Sequence, residues 1–178
     1  QQQRGIAIGQ NAGNNNQEQS SVAIGAEAGQ TNQGTNTGSA VAIGYFSGSN
    51  NQANHCVAIG QSSGNTSQLE RAIAVGFAAG AADQQKNAVA IGAQAGGSIQ
   101  GSGSVAIGSE AGRFRQKTSC VAIGIEAGNY EQGAGTTIYG TTGGAGGAIA
   151  IGHHAGIGNS GGPGTDAQGE YAIAMGYF

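Results

Sequence analysis

Small and branched apolar residues recur along this chain in one short word, small–(Val/Ile)–Ala–(Ile/Val/Met)–Gly, written ten times. The closing glycines are Gly9, Gly25, Gly44, Gly60, Gly76, Gly92, Gly108, Gly124, Gly152 and Gly176. Six of the nine spacings between them are 16 residues, and the others are 19, 28 and 24. A fixed short period is the signature of one structural unit stacked on itself. Such a unit builds a long regular surface more readily than a single catalytic pocket.

Counted from its glycine, each copy carries Val, Ile or Met at positions −3 and −1, and nineteen of these twenty residues are β-branched. That choice favours a pleated strand. Position −2 is Ala in all ten copies, and position −4 is Gly, Ala, Ser or Cys. Strand side chains alternate between faces, so one face bears two large aliphatic groups and the other only small ones. An alanine facing water would drift to larger polar residues. Its constancy predicts a flattened coil with the small face against another layer at close range and the branched face in need of a second partner. The competing arrangement puts Val and Ile inside and Ala outside, which makes a soluble monomer.

A second constant element follows. Position +3 is Ala or Ser and position +4 is Gly in all nine complete copies. Position +8 is Gln in eight of the nine: Gln17, Gln33, Gln52, Gln68, Gln84, Gln100, Gln116 and Gln132. Gln1 and Gln168 stand eight residues before their following glycine. Stacked equivalent glutamines can join their amides in a ladder, here expected at the corner of each coil. Each 16-residue unit therefore reads as strand, tight glycine turn, weaker second strand and return loop. With a period of two and dense glycine, no helix is predicted. The expected fold is all-β: a parallel β-solenoid or β-roll of about ten 16-residue coils, one repeat domain over 1–178 and a homotrimer. Longer insertions are placed at 129–147 and 157–171, with a three-residue one near 31–39.

Composition narrows the function. Gly supplies 37 of 178 residues, charged residues are 8%, and the net charge is −3. Six Lys and Arg residues argue against nucleic acid or an anionic membrane surface as partner. No apolar run approaches the roughly 18 residues that span a bilayer, so no membrane insertion is expected of this segment. The chain opens QQQRG and its last repeat stops at Tyr177-Phe178, which reads as a segment of a longer fibre.

The copies SVAIG at 21–25 and 104–108, AVAIG at 40–44 and 88–92, and CVAIG at 56–60 and 120–124 resemble the head repeats of trimeric autotransporter adhesins. The resemblance covers nearly the whole chain. It implies a left-handed parallel β-roll, trimeric assembly and display on a cell surface. The departures are a 16-residue period where the family's is nearer 14 and the lack of a heptad stalk and an anchor barrel. Longer-period versions also look like viral and phage fibre repeats, which would place the chain on a virion surface.

Candidate chemistry is sparse. Cys56 and Cys120 both occupy position −4, four rungs apart. At the usual strand spacing that is roughly 19 Å, beyond the ~7 Å reach of a disulfide. They read as small buried thiols, with interchain or metal roles as the sharper alternatives. His153 and His154 fall on the variable +1/+2 turn. An exposed turn is the ordinary reading; a metal or anion site with one histidine per chain facing a trimer axis is the other. Tyr130, Tyr139 and Tyr171, beside Thr136, Thr137, Thr141 and Thr142, lie on the insertions and suit contact with a host surface protein or glycan. Arg113, Phe114, Arg115 and Lys117 read as one solvated loop. Gly161–Asp166 faintly resembles a calcium-binding Gly-Asp repeat but carries one carboxylate. No Ser/His/Asp set or carboxylate pair recurs, and no cofactor motif is present. IGxxAG matches one unit of hexapeptide acyltransferases, which need about three per coil where this chain has one. The reading is a non-enzymatic extracellular fibre or adhesin head, with a viral fibre, a purely structural filament and, remotely, an acyltransferase as alternatives.

Overall fold

Every copy of the word forms a strand. The computed structural model describes residues 5–35, 38–133, 146–157, 168–169 and 171–177. Within them all ten (Val/Ile)–Ala–(Ile/Val/Met) triplets, from Ile6–Ile8 to Ile173–Met175, lie side by side in one parallel ten-stranded sheet. Seven further three-residue strands, from Asn15–Gln17 to Phe114–Gln116, make a second parallel sheet. The chain crosses between the two sheets at each turn, so the molecule is an all-β parallel solenoid, and no helix occurs among the described residues. Counting rungs by their glycines, the word at Gly9 is rung 1 and that at Gly176 is rung 10.

The register is the sequence period itself. Val89, Ala90 and Ile91 pair with Ile73, Ala74 and Val75 on one side and with Val105, Ala106 and Ile107 on the other. The word's own glycine makes this stacking possible. Its φ lies between 119° and 128° in all ten rungs, a region that L-residues avoid. A Cβ on Gly76 would sit 2.7 Å from the carbonyl oxygen of Gly92, one rung on.

The second strand is shaped differently. Its middle residue, at position +7, is left-handed throughout: Asn16, Asn32, Asn51, Ser67, Asp83, Ile99, Arg115 and Glu131 have φ between 48° and 59°. Only the first and third residues pair in register, as in Asn50↔Thr66 and Gln52↔Gln68. The inversion leaves the first two residues on the outer side and turns the third, glutamine, inward. Asparagine tolerates this conformation well, and Asn16, Asn32 and Asn51 also join amides along the axis at 2.9 Å each.

Alanine lies inside. Positions −2 and +3 are fully buried through the middle of the stack, in a cluster containing Ala74, Ala79, Ala90, Ala95, Ala106 and Ala111. Among the largest fully buried side chains the glutamines come first and cysteine next; no branched aliphatic is buried among the described residues. Of the two arrangements open to the sequence, Val and Ile inside with Ala outside is overturned. At these positions the interior holds only alanine and, at Ser47 and Ser63, serine.

Three expectations are corrected. Among the described residues about seven coils are complete in both strands, against about ten expected. Rung 8 keeps its second-sheet position only as the bridge Phe114↔Tyr130. Arg113–Lys117 is not a solvated loop: residues 114–116 are a strand of the second sheet. The insertion expected at 129–147 is shorter, because Lys117 N–H donates to Gln132 O at 3.0 Å and Gly147 N–H to Thr118 O at 3.1 Å. The regular coil thus persists through Gly133 and resumes at Gly146, leaving 134–145 outside the described residues. The insertion at 157–171 falls largely outside them too.

The narrow interior makes a direct prediction. Ala90→Leu, at a fully buried position, lowers stability by about 1–3 kcal/mol, whereas Ala93→Leu, on the exposed turn of the same coil, stays within about 0.5 kcal/mol. Equilibrium denaturation of the two variants measures the difference.

Candidate functional site

Two constant columns and one cluster of ionisable groups are the places where function could reside. The first column is glutamine. Gln17, Gln33, Gln52, Gln68, Gln84, Gln100 and Gln132 are fully buried, and Gln116 and Gln168 nearly so. They stand inside the coil on the second sheet, not at a corner as expected. Each amide reaches across the interior: Gln84 Nε2 donates to Ile73 O at 2.7 Å and lies 3.4 Å from Ala88 O. It also donates to Gln100 Oε1, one rung on, at 3.0 Å. The run from Gln52 through Gln68, Gln84, Gln100 and Gln116 to Gln132 is continuous, at 2.9–3.3 Å per step.

The run stops at both ends for structural reasons visible in the spacing. Gln52 Oε1 takes no donor, and the rung before it holds the three added residues about Gly34–Gly38. Gln168 takes the inward position in rung 9, its Nε2 donating to Ile149 O at 2.6 Å. Its Oε1 also lacks a donor, one insertion away from Gln132. Gln17 and Gln33 each bond the first sheet without bonding each other, and the regular spacing between them offers no reason.

Glycine at +4 and glutamine at +8 form one unit. Gly80 has φ 51°, and a Cβ there would lie 2.7 Å from Gln84 Oε1. Other residues adopt the same left-handed backbone in the second strands; what excludes a side chain here is the amide, which occupies the space a Cβ would need.

The second column is the outer side of the first sheet. Ile59, Ile91, Ile107, Ile123 and Ile151 remain 36–39% exposed, and the −3 residues beside them are half-buried. No charged residue enters either column. Sequence reasoning did not single out the margin of this face at +1, where Tyr45, Phe77 and Ile125 are each about half exposed. The signal was present as aromatic and aliphatic residues, Tyr177 among them, on a turn that otherwise varies among Gln, Ala, Ser and His.

The remaining candidates separate. The His153 and His154 rings stack at 3.9 Å, Tyr177 stacks on His153 at 5.0 Å, and His154 Nε2 lies 3.3 Å from Glu126 Oε2. No group of three His, Cys, Asp or Glu side chains that could hold a metal occurs among the described residues. Tyr130 stacks on Phe114 at 4.9 Å, and Arg113 sits 4.6 Å over the Phe114 ring while pairing with Glu110 at 2.8 Å. Arg115 pairs with Glu131, one rung on, at 3.0 Å. Tyr171 is exposed on the return corner of rung 10, far along the chain from Tyr130, and Tyr139 lies outside the described residues.

Both cysteines are buried and free. Cys56 Sγ donates to Leu69 O at 2.9 Å, and burial pushes its thiol up to about 11. Burial raises Cys120 in the same way. Both thiols are protonated and unreactive at neutral pH.

No family model matches the chain, and no curated protein or solved structure matches it. The glycine–glutamine unit is open to a mutant cycle. Gly80→Ala and Gln84→Ala each cost about 1–3 kcal/mol. The double variant costs less than their sum by at least about 0.5 kcal/mol, because removing the amide relieves the clash. Strict additivity in denaturant unfolding would show the two positions to be independent.

Proposed function

We propose that this chain is a non-enzymatic segment of an extracellular fibre. It associates with further copies of itself, three in the arrangement the resemblance implies, and holds its period-breaking segments out for attachment to a host surface protein or glycan. The observation that carries this reading is the outer side of the first sheet: two columns of Val and Ile, uncharged over ten rungs, with an interior already filled by Ala and Gln.

Ten rungs at the usual spacing of about 4.8 Å make a stripe roughly 43 Å long. At a width of about 10 Å it exposes some 400 Å² of apolar surface, near the limit that a monomer tolerates. A partner that matches this stripe must repeat at the rung spacing over the whole length. A second copy of the chain does so by construction, and a globular partner does not. The low charge supports the same reading, since nothing along the stripe opposes like surfaces meeting. Nothing in the two constant columns suits turnover: branched aliphatic side chains and buried glutamine amides offer no nucleophile or proton donor in the physiological range.

Sedimentation of the protein at micromolar concentration tests this. A species near three times the 17.2 kDa chain mass is expected, falling to the single-chain mass in the Ile91→Lys/Ile107→Lys variant with the β-rich circular dichroism retained. A wild-type protein that sediments as one chain overturns the proposal.

A further inference from the structure

The apolar stripe raises a problem that its own regularity creates. Rung after rung it presents the same pair, Val57 and Ile59, then Ile73 and Val75, then Val89 and Ile91. Sliding one copy along another by a single rung, about 4.8 Å, sets a branched aliphatic on a branched aliphatic again. Only the overlap of one rung at each end is lost. A uniform apolar face specifies register weakly, so copies joined by the two columns alone would settle in several alignments of nearly equal stability.

One column breaks the uniformity. At position +1, next to the glycine that ends each first-sheet strand, Tyr45, Phe77 and Ile125 project from rungs 3, 5 and 8 with 49%, 50% and 51% of their surface exposed. Between them stand Gln61, Ala93 and Ser109. With Tyr177 at the same position of rung 10 and 78% exposed, the large residues stand at rungs 3, 5, 8 and 10, so no slide other than zero superimposes all four. Tyr45 is also held in place within its own chain, its ring edge-on to Phe46 at 4.4 Å and 71°. The opposite margin of the sheet, at −5, carries Ser20, Ser39, His55, Arg71, Asn87, Gly103 and Ser119 over rungs 2–8, and its one large aromatic, Tyr171, stands alone at rung 10.

We infer that Tyr45, Phe77 and Ile125 fix the axial register in which copies of this chain pack against one another, the Val and Ile columns supplying affinity and the +1 column alignment. This rests on the self-association proposed above, and its occupant is a second copy of the same chain. In register, large +1 residues of neighbouring copies lie at the same heights and the small ones leave matching gaps. A one-rung slide would set Tyr45 at the height of Gln61, Phe77 at that of Ala93 and Ile125 at that of His153, leaving large side chains facing polar or empty positions.

A nitroxide placed by Asn87→Cys, exposed on the opposite margin of rung 6 and outside the +1 column, reads the alignment as the distance between labels on different copies. The native Cys56 and Cys120 are buried and do not compete for the label. In the otherwise unchanged chain one narrow distance is expected. In the Tyr45→Ser/Phe77→Ser/Ile125→Ser variant the distribution splits into components that reflect slides of about 4.8 Å or its multiples, at unchanged sedimentation mass. The same single distance in the triple variant overturns the inference. A triple variant that sediments as a single chain also overturns it, because the three residues would then supply affinity and not register. A single-chain mass for the labelled chain without the triple substitution is the separate failure of self-association itself.

Discussion

The gap between the two sheets is about one alanine and one glutamine amide deep, and the rest of the molecule follows from that limit. Two alanines per coil, at −2 and +3, meet across it. Beside them the glutamine amide lies over a glycine, bonding the first sheet on one side and the next amide on the other. A buried amide without partners costs several kcal/mol. Here the cost is offset because every inward amide N–H finds a carbonyl, so the polar group becomes the tie between the sheets. With no room for a larger side chain inside, the β-branched residues that give the strands their propensity can point only outward. The apolar exterior is thus a consequence of the thin interior.

Repetition makes this arrangement stable and also limits it. Each rung bonds the next at the same atoms, from the backbone ladder to the outward asparagines at Asn16, Asn32 and Asn51. Where the period holds at 16, the amide run is unbroken from Gln52 to Gln132. Where residues are added, before Gln52 and between Gln132 and Gln168, it stops, while the first sheet continues through all ten rungs. The first sheet therefore acts as the continuous spine, and the second sheet absorbs the changes in length. The same repetition leaves the outer stripe indifferent to sliding, which is why residues that depart from the pattern at its margin carry information that the pattern cannot.

The spine was legible in the sequence because two constraints coincide on it: β-branched residues at −3 and −1 mark the strand, and invariant alanine at −2 marks the buried side. The glutamine was legible as a stacked column but not as an interior one. Its placement depends on the left-handed residue before it, and Ile99 and Arg115 at that position conceal a conformation that Asn16 and Asn32 advertise. The strand at 114–116 was misread for a related reason. Charged and aromatic residues outweighed the period there, although ion pairs and ring stacking satisfy them on the outer face. The histidine pair and the three tyrosines were read from residue type and from their place on a turn and on the insertions, and neither says which rungs face each other.

The central claim is that the outward Val and Ile columns are covered by copies of the chain while the other outer face is open to water. Relaxation of isoleucine methyl signals by a soluble gadolinium chelate tests it with a control inside the same molecule. In one isolated chain Ile91, Ile107 and Ile123 on the first sheet and Ile99 on the second all stand in solvent, at 36–47% exposure. The account predicts that in solution the methyls of Ile91, Ile107 and Ile123 are shielded from the chelate while that of Ile99 is strongly relaxed. Equal relaxation at all four positions would contradict it.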